Sequence, residues 1–495
     1  MILGLILTIA LIIGIGILSG RKAKDAESFT TGGGRASGWV VCGAIMGTIV
    51  SGQSTVGTAQ LAFSFGISAW WFTIGAAIGC LMLAVMYAKP LRDTGCSTLL
   101  EIVAREYGHK AEVVGSTLCL IGIFISIVAQ IIASSALLTT LLPIRYLWAA
   151  LAAVALMMIY VVFGGLWGAG LGGIVKMALL YISSIVAGVF VWRHSDGLSG
   201  LLHSIETLFA NIPLQEGTAP EEVISSRYAN IFARGPLKDL GGCLSLALGV
   251  LATQTYAQGI WAGRSLGASR RGGILCACLI PPIGAACTLV GMYMRAHYIT
   301  AAELEQIGGI LPEGMGVMQS SVQAFPLFIT HHLPPFFGGV VLGTLFVTIV
   351  GGGSGLALGC ATIINRDILA PLRKKKSQSL RQLRVIIVVL LLIAVAISLL
   401  VAKSFINDLG FLSLGLRATA VLIPLTCALF FPQRISRRFA LASMISGTAA
   451  LLAAQMLNLP ADSFYWGFGT GLAVCLMGWK RKTLVPEAIK EPKVR

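Results

Sequence analysis

Acidic side chains are scarce in this chain. Asp and Glu account for 20 of its 495 residues, against 36 Lys and Arg, and all charged residues together make up 11%. No acid falls inside a long apolar run. At membrane depth there is also no Ser/His/Asp or His/Glu grouping, so a membrane enzyme would lack both a nucleophile–base pair and a metal centre. A soluble domain carries roughly 25% charged residues, and no polar stretch here is large enough to form one. The six histidines show no His-x-x-x-His spacing, and His331-His332 reads as a solvated loop pair. The 11 cysteines do not read as a disulfide framework. Cys42, Cys80, Cys119, Cys243, Cys287, Cys427 and Cys475 sit singly in apolar runs, where a free thiol behaves as a small hydrophobe. Cys276-Ala-Cys278 has no second pair or histidine beside it, so no metal site is expected. Nothing implies a cofactor.

Apolar sequence, by contrast, is abundant. The chain is 56% hydrophobic, with a mean hydropathy of +0.87. Runs of about 20 apolar residues recur from end to end, each long enough to span a bilayer. Thirteen candidate helices, numbered 0 to 12, lie at about 2–18, 38–65, 67–88, 111–141, 146–163, 167–192, 240–258, 272–294, 336–363, 385–402, 409–431, 439–457 and 463–479. The expected fold class is an all-α polytopic membrane protein. It forms one unit over 1–495: helix 0, a first repeat at about 38–192, a second at about 240–431, peripheral helices at about 439–479 and a tail at 480–495.

The net charge of +16 is distributed along the chain in a way that orients it. With the N-terminus outside, 27 of the 36 Lys and Arg fall in cytoplasmic segments, 7 outside and 2 within spans. The opposite orientation inverts this bias, so the positive-inside rule selects the first. The basic excess therefore answers to the membrane and not to nucleic acid. Helix 0 lacks a basic n-region and is followed by Arg21-Lys22, so it reads as an outside-in anchor and not a signal peptide. The expected location is the plasma (inner) membrane, multi-pass, with the C-terminus cytoplasmic.

Most of the 59 glycines suit close helix packing, but three places crowd polar and small residues into mid-membrane. Helix 1 carries "GTIVSGQSTVGTAQ" (47–60), helix 6 "LGVLATQTYAQG" (248–259) and helix 8 "TIVGGGSGLALG" (348–359). Irregular backbone is tolerated at that depth only where it is buried in protein or lines a cavity. Two interrupted helices, five apart, point to a midplane site between inverted repeats. Ser51, Gln53, Ser54, Thr253, Gln254 and Tyr256 are therefore expected to line one cavity.

These segments resemble the sodium:solute symporter family, and the match runs through helices 0 to 10. It is carried by "VSGQSTVG" (50–57) leading to "FGISAWWF" (65–72), by "VFGGLWG" (162–168), by "TQTYAQGIWAGRSLGASRRGG" (253–273) and by "CATIINRDIL" (360–369). The resemblance implies a five-plus-five inverted repeat with helices 1 and 6 broken, the fold of the leucine transporter. It also implies a secondary transporter with a solute site at helices 1, 2, 6 and 10 and a sodium site between helices 1 and 8.

Carried over residue by residue, the sodium site keeps its helix 1 carbonyls at Gly47 and Val50. Its helix 8 hydroxyl pair falls on Gly351 and Gly352, which have no side chains, and Ser354 faces elsewhere. The helix 5 aspartate of many members falls on Gly173, and three residues later stands Lys176. A charge at the centre of a membrane helix costs about 2.5–3.5 kcal/mol even on the mildest scale. The expectation is that the Lys176 ammonium fills the sodium position, with Gly172, Gly173, Gly351 and Gly352 leaving room. Transport would then be proton-coupled or ion-independent. Snorkelling of Lys176 to an interface and ordinary sodium coupling are the alternatives.

Arg417 in helix 10 is the other intramembrane charge. Buried charges are normally paired, and guanidinium matches a carboxylate bidentately. The expected solute is therefore small and polar, anionic or zwitterionic, with Arg417 near the outer gate; a helix-end arginine bonded to loop carbonyls is the alternative. A membrane sensor on the same fold is the reading from another class.

Overall fold

The computed structural model describes residues 1–20, 34–212, 219–369, 380–402 and 404–480. The side chains of the 162–168 element and the tail beyond 480 lie outside the described residues. Among the described residues, eight helices are long and apolar enough to cross a membrane, from Gln53–Asp93 to Arg437–Met456. A ninth span is the pair Pro236–Leu251 and Gln254–Ala262, bent by 48° at its break. Shorter apolar helices lie at Ile2–Leu11, Gly38–Ile49, Tyr146–Val161 and Ser463–Met477. These segments cover all thirteen apolar runs, though not one to one. The second half of helix 1 and all of helix 2 share the stretch Gln53–Asp93. Helices 4 and 5 share the helix Tyr146–His194. Among the described residues, a short parallel strand pair, β1 (Tyr298–Thr300) and β2 (Gly316–Met318), lies in the connection between helices 7 and 8.

Helix 1 breaks where its sequence turns to Ser and Gly. Gly38–Ile49 ends as Val50 takes an extended ψ of 99°, and the chain resumes as a π-turn over Gln53–Gly57, then Thr58–Phe65. Ser and Gly compete poorly for helix, and the groups freed must be satisfied inside the protein. Ser54 Oγ donates to Ile49 O at 2.7 Å, and Thr55 Oγ1 donates to Ser51 O at 2.9 Å. Gln130 of helix 3 then clamps the gap: its Oε1 accepts from Gly52 N and its Nε2 donates to Ser51 Oγ, each at 2.9 Å. Helix 6 breaks at Ala252-Thr253, with Thr253 extended before Gln254 restarts the helix.

The first half of helix 1 packs on helix 5, which also packs on helix 8; helix 10 packs on helices 3 and 6. The helix 1–helix 5 crossing brings backbones together: a Cβ at Gly173 would lie 2.3 Å from Gly43 O. One end of the bundle gathers several basic segments. There Ala36 pairs with Gly263, Arg92 donates to Gly263 O at 2.6 Å, and Glu106 accepts from Gln433 N beside Arg434.

The crossing predicts that Gly173→Val destabilises the protein by at least about 1–3 kcal/mol, the usual cost of overpacking. Gly469, where a Cβ would meet nothing within 4 Å, should accept alanine without loss. Thermal unfolding of the two detergent-purified variants checks this; equal midpoints contradict the tight crossing.

Candidate functional site

Lys176 is 3% exposed, and its Nζ donates to Gly47 O at 2.6 Å. Gly47 lies among the last four residues before the break, whose carbonyls an ended helix leaves without intrahelical partners. From the opposite side comes helix 8, where a Cβ at Gly351 would lie 2.9 Å from Nζ and 3.8 Å from the Tyr160 ring. Any side chain at 351 would crowd the ammonium. The other glycines expected to make room do different work. The space at Gly173 is taken by Gly43 O, and a Cβ at Gly352 would lie 2.6 Å from Ser51 Cβ. The side chain position of Gly172 lies outside the described residues. Among the described residues Gly47 is the one acceptor bonded to Lys176, so Val50 supplies no bond to it. Ser354 faces helix 4, donating to Met157 O at 3.0 Å and Val350 O at 2.7 Å.

Arg417 is 1% exposed. Its Nη1 donates to Thr253 Oγ1 at 2.9 Å, and its Nη2 donates to Ser126 Oγ at 2.8 Å and Ser413 Oγ at 2.5 Å. Nε reaches Ser413 O at 3.2 Å, and Tyr256 also interacts with the guanidinium. Its further neighbours are Cys119, early in His109–Leu141, and Cys360, late in Pro335–Ile363. Arg417 therefore sits beside the helix 6 break and against Ser126, midway along His109–Leu141. Among the described residues no carboxylate lies within 4.0 Å of Lys176 or Arg417, whereas Arg234 pairs with Asp239 and Asp408.

The polar residues expected to share one cavity are all buried, but the structure turns them to different neighbours. Ser51 faces Gln130, and Ser54 closes on Ile49 O. Thr253 and Tyr256 belong with Arg417. Gln254 turns toward the basic end, accepting from Leu99 N at 2.9 Å and donating to Ser97 O at 3.0 Å, which anchors the helix Leu99–Tyr107. Gln53 faces an earlier turn of helix 10, where a Cβ at Gly410 would lie 3.0 Å from its Nε2. Facing the same turn is Asn407, whose Oδ1 approaches Gly57. Gln53 Nε2 and Asn407 Oδ1 are buried without a partner, and the tilted ring pair Phe72 and Phe411, 5.3 Å apart, flanks them. An open cavity of about 490 Å³ lies elsewhere, among Arg234, Lys238, Gln455, Asn458 and Asp462, and includes none of these residues.

Sequence reasoning missed Gln130, Ser126, Ser413 and Asn407. Gln130 was within reach, as the one amide in the apolar run of helix 3. Gln130→Leu should cost about 1–3 kcal/mol, because it leaves the buried Gly52 N–H and Ser51 hydroxyl unpaired. A lowered thermal midpoint is the expected reading, and an unchanged one would show that the break needs no clamp.

The profile of the sodium:solute symporter family matches residues 29–447. An uncharacterized symporter of Bacillus subtilis (strain 168), YwcA, is 30% identical over 175 residues, 35% of this chain and 34% of its own length. The chain thus spans about a third of the curated relative it matches. A sodium-coupled sialic acid symporter, solved substrate-bound and outward-open, superposes with a TM-score of 0.72 at 19% identity, covering 96% of this chain and 95% of the other. The nucleobase-cation-symport transporter Mhp1, closed on a bromovinylhydantoin, gives 0.52 at 13% identity, covering 90% and 92%. Their shared fold, the inverted repeat with two interrupted helices, is the one seen here. With its family profile extending over 29–447, this chain belongs to the sodium:solute symporter family.

Proposed function

We propose that the protein is a secondary transporter of a small anionic or zwitterionic solute that works without sodium, because Lys176 occupies the position of the coupling ion. The observation that carries this reading is the 2.6 Å bond from Lys176 Nζ to Gly47 O, opposite the bare backbone at Gly351. A sodium ion needs a cage of five or six oxygens. Here Gly351 and Gly352 offer no hydroxyl, Ser354 is committed to Met157 O, and an ammonium already holds the carbonyl. Two cations cannot share that cage.

The solute class follows from charge. Lys176 and Arg417 are both buried, with no carboxylate within 4.0 Å among the described residues. An anionic group on the solute would balance this excess in a low-dielectric interior. Arg417, the neutral donors and acceptors around it, and the unpaired Gln53 Nε2 and Asn407 Oδ1 are the groups a solute would engage. A guanidinium grips a carboxylate through two parallel bonds, which lysine cannot reproduce.

Binding of radioactive sodium to the purified protein tests the coupling directly and needs no knowledge of the solute. No saturable binding is expected at millimolar sodium; clear saturable binding would restore the ordinary family mechanism. For the solute, a thermal-shift screen of small carboxylates and amino acids should find a stabilising ligand. Arg417→Lys should weaken that ligand by well over tenfold, since the bidentate geometry is lost; equal affinity reduces Arg417 to a structural residue. In proteoliposomes, uptake of that ligand should be the same in sodium and choline. If a proton gradient drives it, Lys176→Gln should abolish the drive.

A further inference from the structure

Four of the six histidines meet where three helix ends converge. His194 closes Tyr146–His194, His297 closes Leu266–His297, and His331 and His332 close the short helix Ala324–His332. An aromatic cluster holds three of the rings together, while the fourth, His331, stacks on Tyr298 at 6.0 Å with its Nδ1 2.6 Å from the Tyr298 hydroxyl. His332 stacks on Phe328 at 5.5 Å, meets Tyr293 edge-on at 5.1 Å and lies 6.3 Å from His297. Phe190 joins them, 5.9 Å from His332 and stacked on His194 at 3.9 Å.

The hydrogen bonds fix which nitrogens are free. His194 Nδ1 lies 2.9 Å from Phe190 O, and His297 Nδ1 lies 2.8 Å from Tyr293 O. A carbonyl can only accept, so each Nδ1 carries its hydrogen and each Nε2 remains to take a proton. His332 Nε2 is buried with no partner at all. His194, His297 and His331 act on it electrostatically, and no acid does. Tyr293 faces it as a neutral phenol. Helices 1, 3 and 8 and the Ser321–Gln323 turn present no titratable side chain to this helix along the lengths that pack against it. The nearby Arg295 is paired with Glu303 at 2.9 Å.

The short helix is placed where its docking matters. Its buried face, Phe325, Pro326, Phe328 and Ile329, packs on helices 3, 7 and 8 and on the second half of helix 1, including the Gln53–Gly57 turn at the break. We propose that the four-histidine junction is a pH-sensitive clasp: neutral imidazoles hold Ala324–His332 down beside the helix 1 break, and protonation releases it. Burial, and then the charges of His297, His331 and His194, push His332 down to about 4 from 6.5. A histidine depressed in the docked state favours docking above its free value, and that contribution drains away as pH falls from about 6.5 toward 4. The clasp is independent of the ion site, so it stands or falls separately from the reading of Lys176.

Hydrogen exchange of the full-length protein in nanodiscs tests it, at pH 7.5 and 5.0, with the intrinsic rate change removed. Protection of 324–333 should fall about tenfold at the lower pH, while 335–363 stays protected. His332→Phe keeps a ring in the stack but cannot titrate, and should hold its protection at both pH values. His297→Gln removes one repelling neighbour and should shrink the fall. Lys176→Gln should leave the fall intact. Constant protection in the unmodified protein, or an equal fall in both His332→Phe and His297→Gln, overturns the clasp.

Discussion

Two positive side chains are sealed into an interior where no carboxylate among the described residues lies within 4.0 Å of them, and the interruption of helix 1 is what makes Lys176 tolerable there. An unbroken helix spends its carbonyls on its own ladder. Ending the ladder at Ile49 frees Gly47 O to face Lys176. The same interruption exposes Gly52 N, which is why Gln130 must stand opposite on helix 3. The crossing of helices 1 and 5, the absence of side chains at Gly351 and Gly352 and the amide on helix 3 all follow from holding one irregular turn inside hydrocarbon.

Arg417 is solvated in another way. It is surrounded by hydroxyls from three helices, Ser126, Ser413 and Thr253. Hydroxyl dipoles can stabilise a guanidinium without neutralising it, so the site keeps its positive potential while leaving few hydrogens unspent. A set of neutral donors and acceptors can exchange its partners more readily than a salt bridge can, because no charge has to be uncovered when a bond breaks.

Much of the architecture was legible because hydropathy and polar interruptions are one-dimensional signals. The breaks at Ser51-Gly52 and Ala252-Thr253 fall inside the polar stretches that announce them, and the family is written in short motifs. Direction around a helix was harder to read. Gln254 and Tyr256 are two residues apart, yet one anchors the 97–99 turn and the other attends Arg417. At a bent junction the usual 100° step per residue no longer predicts which neighbour a side chain meets. The histidines were invisible for a different reason: they lie on three helix ends separated by up to 138 positions (194 to 332), and no spacing rule joins them.

The contact at Gly173 limits what a single substitution can restore. With helix 5 lying against Gly43, position 173 has no room for a side chain. With a Cβ only 2.3 Å from Gly43 O, restoring the carboxylate alone would push two helices apart. Restoring hydroxyls at Gly351 alone would collide with Lys176. Neither position therefore accepts a polar side chain by itself, and a change at one has to be accompanied by a change in the neighbour it meets.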